Sequence, residues 1–167
     1  YYHYPKKVKS LILIETTSAF GGKSQDFKKQ FLEKRLKPIS EGKKMKELAK
    51  YFVPSILSKS ASTDVINKAI KSMERVSEET YKNVIECLVT FDRYHDLPLI
   101  KVPCCLISGS EDTNSPSKTM MKMFEKLQFG EYYDLKDTGH LVNLESPEKT
   151  NNIVLKFLDK IKKNLET

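Results

Sequence analysis

Two short, largely apolar runs, far apart in the chain, constrain this sequence most. Residues 8–14 read VKSLILI, with four unbroken apolar residues at the end, and residues 102–108 read VPCCLIS. A strand with one wet face alternates polar and apolar residues. Unbroken apolar runs of this length instead fit strands covered on both faces, as in a parallel sheet. Pro103 lies near the start of its run, where a strand tolerates the missing N–H. A weaker third run, 131–135 (EYYDL), predicts a third strand. A helical pattern at 117–127 carries Met120, Met121, Met123, Phe124 and Leu127. Another opens at Ser146-Pro147-Glu148 with proline at the first helical position. It continues as a stripe of Ile153, Val154, Phe157, Leu158, Ile161 and Leu165. Strand, helix, strand, helix at this spacing predicts an α/β fold with a parallel sheet.

The first two strands are too far apart for a single crossover helix. From Ala19 to Phe91 the pattern predicts no strand but helices over 25–36, 45–57, 63–75 and 77–90, with breaks at Lys37-Pro38, Glu41-Gly42 and 58–62. The expected organisation is a core of 1–18 and 92–167 with an all-helical insertion at 19–91.

Composition narrows the classes. A chain of 167 residues with 39% hydrophobic and 31% charged residues fits a globular fold with a real core. The longest uncharged stretch runs only from Val102 to Ser110, so no membrane span is expected. No charged-then-apolar pattern is read at the start, so no secretory signal is expected. Lys+Arg 29 against Asp+Glu 22 gives +7, yet only Arg35, Arg75 and Arg93 are arginine and the lysines are dispersed. That reads as a solvated surface before a nucleic-acid footprint, so no nucleic-acid partner is expected. Three cysteines, two adjacent and none in Cys-x-x-Cys spacing, argue against a disulfide framework or a zinc site and for a reducing, cytoplasmic setting.

Two loops carry the chemistry. The second strand runs into Gly109-Ser110-Glu111-Asp112-Thr113-Asn114-Ser115-Pro116, and the third into Lys136-Asp137-Thr138-Gly139-His140. In open α/β sheets, functional groups lie beyond the carboxyl ends of strands. A carboxylate beside a histidine fixes its tautomer and stabilises the imidazolium, which is what a general base needs. Asp112 and His140 are therefore the candidate pair. Asp112 also reads as a turn or helix cap, and Asp137 is a rival partner for His140 on the same loop. Glu145 reads as part of a helix start. His3 reads as a surface residue, and His95 lacks the partners a metal site needs. Cys104 and Cys105 should face opposite sides of their strand as buried, unreactive thiols. The methionine cluster is packing, and Phe20 suits either a substrate pocket or packing among the inserted helices.

Gly109, Asp112 and Pro116, then Gly139-His140 28 residues after the aspartate, then Glu145-x-Pro147 and a final helix, together resemble the C-terminal half of an α/β-hydrolase. The opening Tyr4-Pro5-Lys6-Lys7-Val8-Lys9-Ser10-Leu11 resembles the end of the helix after the nucleophile elbow, running into the sixth strand. The resemblance covers essentially the whole chain. It implies about three strands of the parallel sheet with flanking helices, a lid at 19–91, and the second and third members of the chain order Ser, Asp, His. No Gly-x-Ser-x-Gly is present, so the resemblance places the nucleophile and oxyanion donors upstream of Tyr1 and makes this chain a fragment. The implied activity is serine hydrolysis of an ester, lactone or similar acyl substrate, with no cofactor and no metal. The implied partner is the N-terminal half of the protein, or another chain covering the 8–14 edge. A non-catalytic receptor of the same fold and a basic nucleic-acid binder are the alternatives.

Overall fold

Residues Cys104–Gly109 form the central strand, β2, and every one of them is buried. In a computed structural model of the protein, which describes residues 1–20 and 24–166 with side chains to 163, β2 is flanked by β1 (Leu11–Ile14) and β3 (Gly130–Leu135). Both pairings are parallel and the order is β1-β2-β3. The register sets Leu13 and Tyr132 beside Leu106, and Ile14 and Tyr133 beside Ile107. β1 is shorter than the apolar run predicts, and its residues are half-buried rather than buried, because it is an edge strand among the described residues. A strand covered on both faces but paired on one side keeps part of its surface open.

The chain divides into two compact units, Tyr1–Thr17, Ile56–Ala61 and His95–Thr167 in the first, and Ser18–Ser55 and Ser62–Tyr94 in the second. The hexapeptide Ile56–Ala61, which the sequence assigns to the insertion, belongs with the sheet.

In the first unit, strand alternation sorts the side chains between two helices. Cys105, Ile107 and Leu135 on one face pack with Val142 and Phe157, and Ile12, Ile14, Tyr133, Ile153, Val154 and Ile161 join them. The last three lie on α7 (Pro147–Glu166), so the apolar stripe read from sequence is the face that covers the sheet. Leu158 is exposed instead, and the Leu165 side chain lies outside the described residues. The other face meets α5 (Ser117–Phe124): Ser117 Oγ bonds Asp134, and the Phe124 ring lies 5.9 Å from Tyr132. Met120 and Met123 are buried there. Cys104 and Cys105 are buried on opposite sides, and burial holds both thiols up at about 11.

The second unit holds α1 (Gln25–Ser40), α2 (Met45–Ile56, whose last residue belongs to the first unit), α3 (Thr63–Glu74) and α4 (Glu78–Leu88). Ser24, Ser62 and Ser77 each accept the N–H of the third helical residue, satisfying one of the orphan donors at the helix starts. Ile39, Met45, Leu48 and Phe52 form its core, with Met73, Val76 and Tyr81 against them. An antiparallel bridge between Ala19 and Asp92 ties its ends together. The break expected at Lys37-Pro38 does not occur. α1 runs through Pro38, which supplies no N–H to the Lys34 carbonyl, and the stop is Gly42 at φ +88°. No helix among the described residues is long and apolar enough to cross a membrane.

Candidate active site

The three strands end side by side, and each is followed within five residues by a titratable side chain: Glu15 after β1, Asp112 after β2 and His140 after β3. A parallel sheet brings such positions together, since all its strands end at the same edge. Each of the three offers a ligand atom within 4.8 Å of the other two.

The pair expected from sequence is formed. His140 Nδ1 lies 2.8 Å from Asp112 Oδ2, and the Asp112 side chain is fully buried while that of His140 is 25% exposed. The other oxygen, Oδ1, accepts the backbone N–H of Asn114 at 2.7 Å and of Ser115 at 3.1 Å. Asp112 thus folds its own loop around itself. It does not cap α5, whose N-cap is Pro116 with no side-chain bond. Burial alone would raise this carboxyl. The hydrogen bond from His140, the adjoining Glu15 carboxyl, the His140 charge and the Ser115 N–H outweigh it and hold Asp112 down at about 2. An ionised Asp112 fixes the tautomer with the proton on Nδ1 and leaves Nε2 free to accept one. Asp137 is not the partner of His140. It sits at φ +54° in the turn, and its N–H donates to Ser110 Oγ.

The loop carrying His140 is held from three sides. Ser110 and Glu111 N–H donate to Leu135 and Thr138 carbonyls, joining the two loops. The His140 N–H donates to the carbonyl of Ile56 at 2.8 Å. That carbonyl is the last of α2 and has no helical partner of its own. Gly139 makes this approach feasible, since a Cβ there would lie 2.5 Å from Ser58 N and 2.6 Å from Leu57 C. Glu145 then gathers the N–H groups of Gly139, Leu141 and Ser58, the last at 2.8 Å. Glu145 is therefore more than the start of a helix. It lies on a one-turn helix, α6 (Val142–Glu145), and clamps the histidine loop to the hexapeptide. Glu111 adds a bond from Lys59 N at 2.9 Å.

Glu15 escapes a motif-based reading. It is 8% exposed, adopts φ +44°, and donates its backbone N–H to Ile107. Neither of its carboxylate oxygens has a hydrogen-bond donor in the structure. Burial drives its pKa up first, the adjoining Asp112 adds to this, the Gly109 N–H opposes it and Asp134 adds a little, leaving it at about 10. The signal that would have found it is the rule applied to the other two: it is the residue just past a strand's carboxyl end. Two carboxylates and an imidazole at this spacing also form a possible cation ligand set. Of the other residues weighed from sequence, His3 is exposed and Phe20 packs on Phe27 and Phe31 at 5.7 and 4.5 Å; the third cysteine, Cys87, is exposed. An open groove of about 830 Å³ lies by α1 and the residues after α4, with Lys28, Lys29, Leu32, Glu33, Val89 and Thr90 in its wall. None of the three strand-end residues lines it.

No family model and no curated protein matches the sequence. Solved structures do. A thermophilic esterase from Thermogutta terrifontis superposes with a TM-score of 0.79 at 21% identity, over 95% of this chain and 58% of that one. A hydrolase from Pseudomonas aeruginosa gives 0.78 at 19% identity, over 93% and 57%. The enol-lactonase from Burkholderia xenovorans gives 0.76 at 21% identity, over 91% and 56%. The fold is that of the C-terminal part of an α/β-hydrolase. Agreement over nine-tenths of the chain at such low identity speaks to the fold alone. The chain spans less than two thirds of each of these α/β-hydrolase structures.

Proposed function

We propose that this chain supplies the acid and the base of a serine hydrolase acting on an ester, lactone or similar acyl substrate. The observation that carries the reading is the 2.8 Å contact between His140 Nδ1 and a fully buried Asp112 at the carboxyl ends of adjacent strands. The fold supports it, because α/β-hydrolases place their triad at that edge.

In this reading Asp112 remains an anion throughout, and His140 Nε2 takes the proton from a serine hydroxyl as the oxygen attacks the acyl carbon. The imidazolium returns that proton to the departing alkoxide as the tetrahedral intermediate collapses. Water then attacks the acyl-enzyme, giving its proton to Nε2. The second collapse releases the acid and restores the serine. In this reading the serine and the oxyanion donors lie N-terminal to Tyr1, and the strand that carries the serine pairs with the open edge of β1. The helical unit acts as a lid that selects the acyl or alcohol portion. The three free cysteines support a cytoplasmic setting.

Fluorophosphonate labelling of the natural protein, with mapping of the modified peptide, tests this. A label on a serine outside these 167 residues is expected. Asp112→Asn should lower kcat by roughly 10³–10⁴-fold with the fold intact, since the tautomer is then wrong. A folded protein that takes no label refutes the hydrolase reading in favour of a binding role, and a label on a serine of this chain refutes the placement of the nucleophile.

A further inference from the structure

We propose that Glu15 is a neutral carboxylic acid whose O–H donates to the Asp112 carboxylate, a positioning residue that sets Asp112 toward His140 Nδ1. The inference rests on reading Asp112 and His140 as the catalytic pair.

The geometry poses a problem that one proton solves. Glu15 and Asp112 are 8% and 5% exposed, with carboxyl oxygens within 4.8 Å. Two ionised carboxylates so close and so dry repel each other and are both poorly solvated. Two carboxylates can pair only by sharing a proton. The hydrogen bonds decide which keeps it. Asp112 receives N–H groups from Asn114 and Ser115 and the Nδ1 of His140, so its anion is already satisfied. Neither oxygen of Glu15 has a hydrogen-bond partner, and the nearby Gly109 N–H does not offset its burial, so its anion is not. The proton therefore belongs to Glu15, where it gives that residue its partner and Asp112 a further donor. The groups acting on Glu15 are Asp112 and the Gly109 N–H from the end of β2, and Asp134 from β3, with His140 completing the cluster. Their combined effect runs the same way, with Glu15 high and Asp112 low.

The backbone shows that the position is held against a cost. A non-glycine residue at φ +44° is strained by roughly 1–2 kcal/mol, and such strain persists only where surrounding structure demands it. Here it falls on the residue that closes β1 and meets the Asp112 loop. The neutral acid keeps the buried charge of the cluster at one negative rather than two. It also takes up a lone pair of Asp112, so the carboxylate cannot turn away from the imidazole.

Infrared difference spectroscopy of the full chain against Glu15→Gln tests this without turnover. At pH 8 the wild type should show the carbonyl stretch of a neutral carboxylic acid, absent from the variant and lost only as the pH approaches 10. The band should shift in Asp112→Asn, where the acceptor changes. The downfield Nδ1 proton of His140 in NMR should persist in Glu15→Gln, whose amide still donates, and be displaced in Glu15→Leu. The proposal fails if no acid band is present at pH 8, if the band survives Glu15→Gln, or if it is indifferent to Asp112→Asn. It also fails if the band appears only after a chelator is added, which would put a cation in place of the proton. An Nδ1 proton that responds alike to Gln and Leu refutes the positioning role. The pH titration of the wild-type band decides the protonation state even if a variant fails to fold. A protein that shows the band but takes no fluorophosphonate label loses the hydrolase reading and keeps the acid pair, so the two failures are separable.

Discussion

Replacing Glu15 by glutamine should change how stability depends on pH. The sign follows from proton counting. The unfolded Glu15 has an ordinary carboxyl near 4.5, and the folded one is raised to about 10. Between these values the folded state holds one proton that the unfolded state does not. Stability is then fully present below pH 4.5 and falls as the pH rises toward 10. The slope is about 1.4 kcal/mol per pH unit. From pH 6 to pH 9 the wild type should lose about 4 kcal/mol through this group alone, a large share of the 5–15 kcal/mol typical of a native protein. Glutamine has no proton to lose, so Glu15→Gln should lack this component. Urea unfolding of both proteins at pH 6, 7.5 and 9 reads the difference directly, because other titrating groups largely cancel. The variant should gain on the wild type by about 4 kcal/mol over that range. That corresponds to roughly 8–16 °C in relative Tm for a chain of this length. A difference that stays constant with pH would mean Glu15 is ionised in the fold, and the reasoning from its burial and missing donors would be wrong.

The acid side runs the other way. Asp112 is lowered from 3.8 to about 2, so its contribution is present above pH 3.8 and lost as the pH falls through 2, worth about 2 kcal/mol. Asp112→Asn should lack this acid-limb loss in an unfolding titration between pH 5 and pH 2. Glu145→Ala strands the N–H groups of Gly139, Leu141 and Ser58 and should cost roughly 2–4 kcal/mol in urea unfolding, with Glu145→Gln, which keeps an acceptor, costing less. Gly139→Ala puts a methyl into the backbone of Leu57 and Ser58 and should cost roughly 1–3 kcal/mol, visible as lost amide exchange protection at His140. Thiol titration should find Cys87 reactive in the folded protein, and Cys104 and Cys105 reactive only on unfolding.

The sheet was legible because its strands announce themselves. A run such as CCLIS has no polar face to give to water, so it can only be central. The helices were legible through their apolar stripes, and their ends less so. Pro38 reads as a stop, yet α1 continues two residues past it at the loss of one helical N–H, and Gly42 ends the helix instead. Asp112 and His140 were legible because each follows a strand in a recognisable loop. Glu15 follows one too, but a lone glutamate before Thr16-Thr17 carries no motif, and its meaning comes from Asp112 lying beside it across the sheet. Glu145 is hidden for the same reason. Beside its local bonds from Gly139 and Leu141 it accepts the N–H of Ser58, 87 residues earlier in the chain, and no local pattern predicts that partner.

The hexapeptide Ile56–Ala61 has one more consequence. An insertion with a single entry and exit behaves as a cassette, which can be excised or exchanged while the host closes over the gap. Here the host takes the chain back for six residues in the middle, and those residues supply the carbonyl of Ile56 and the N–H groups of Ser58 and Lys59 that seat the histidine loop. Swapping everything from Ser18 to Tyr94 for a linker, or for the equivalent stretch of a relative, would unseat His140 along with it. Variation compatible with the fold is therefore split into two independent excursions, Ser18–Ser55 and Ser62–Tyr94, with a fixed splice of host chain between them.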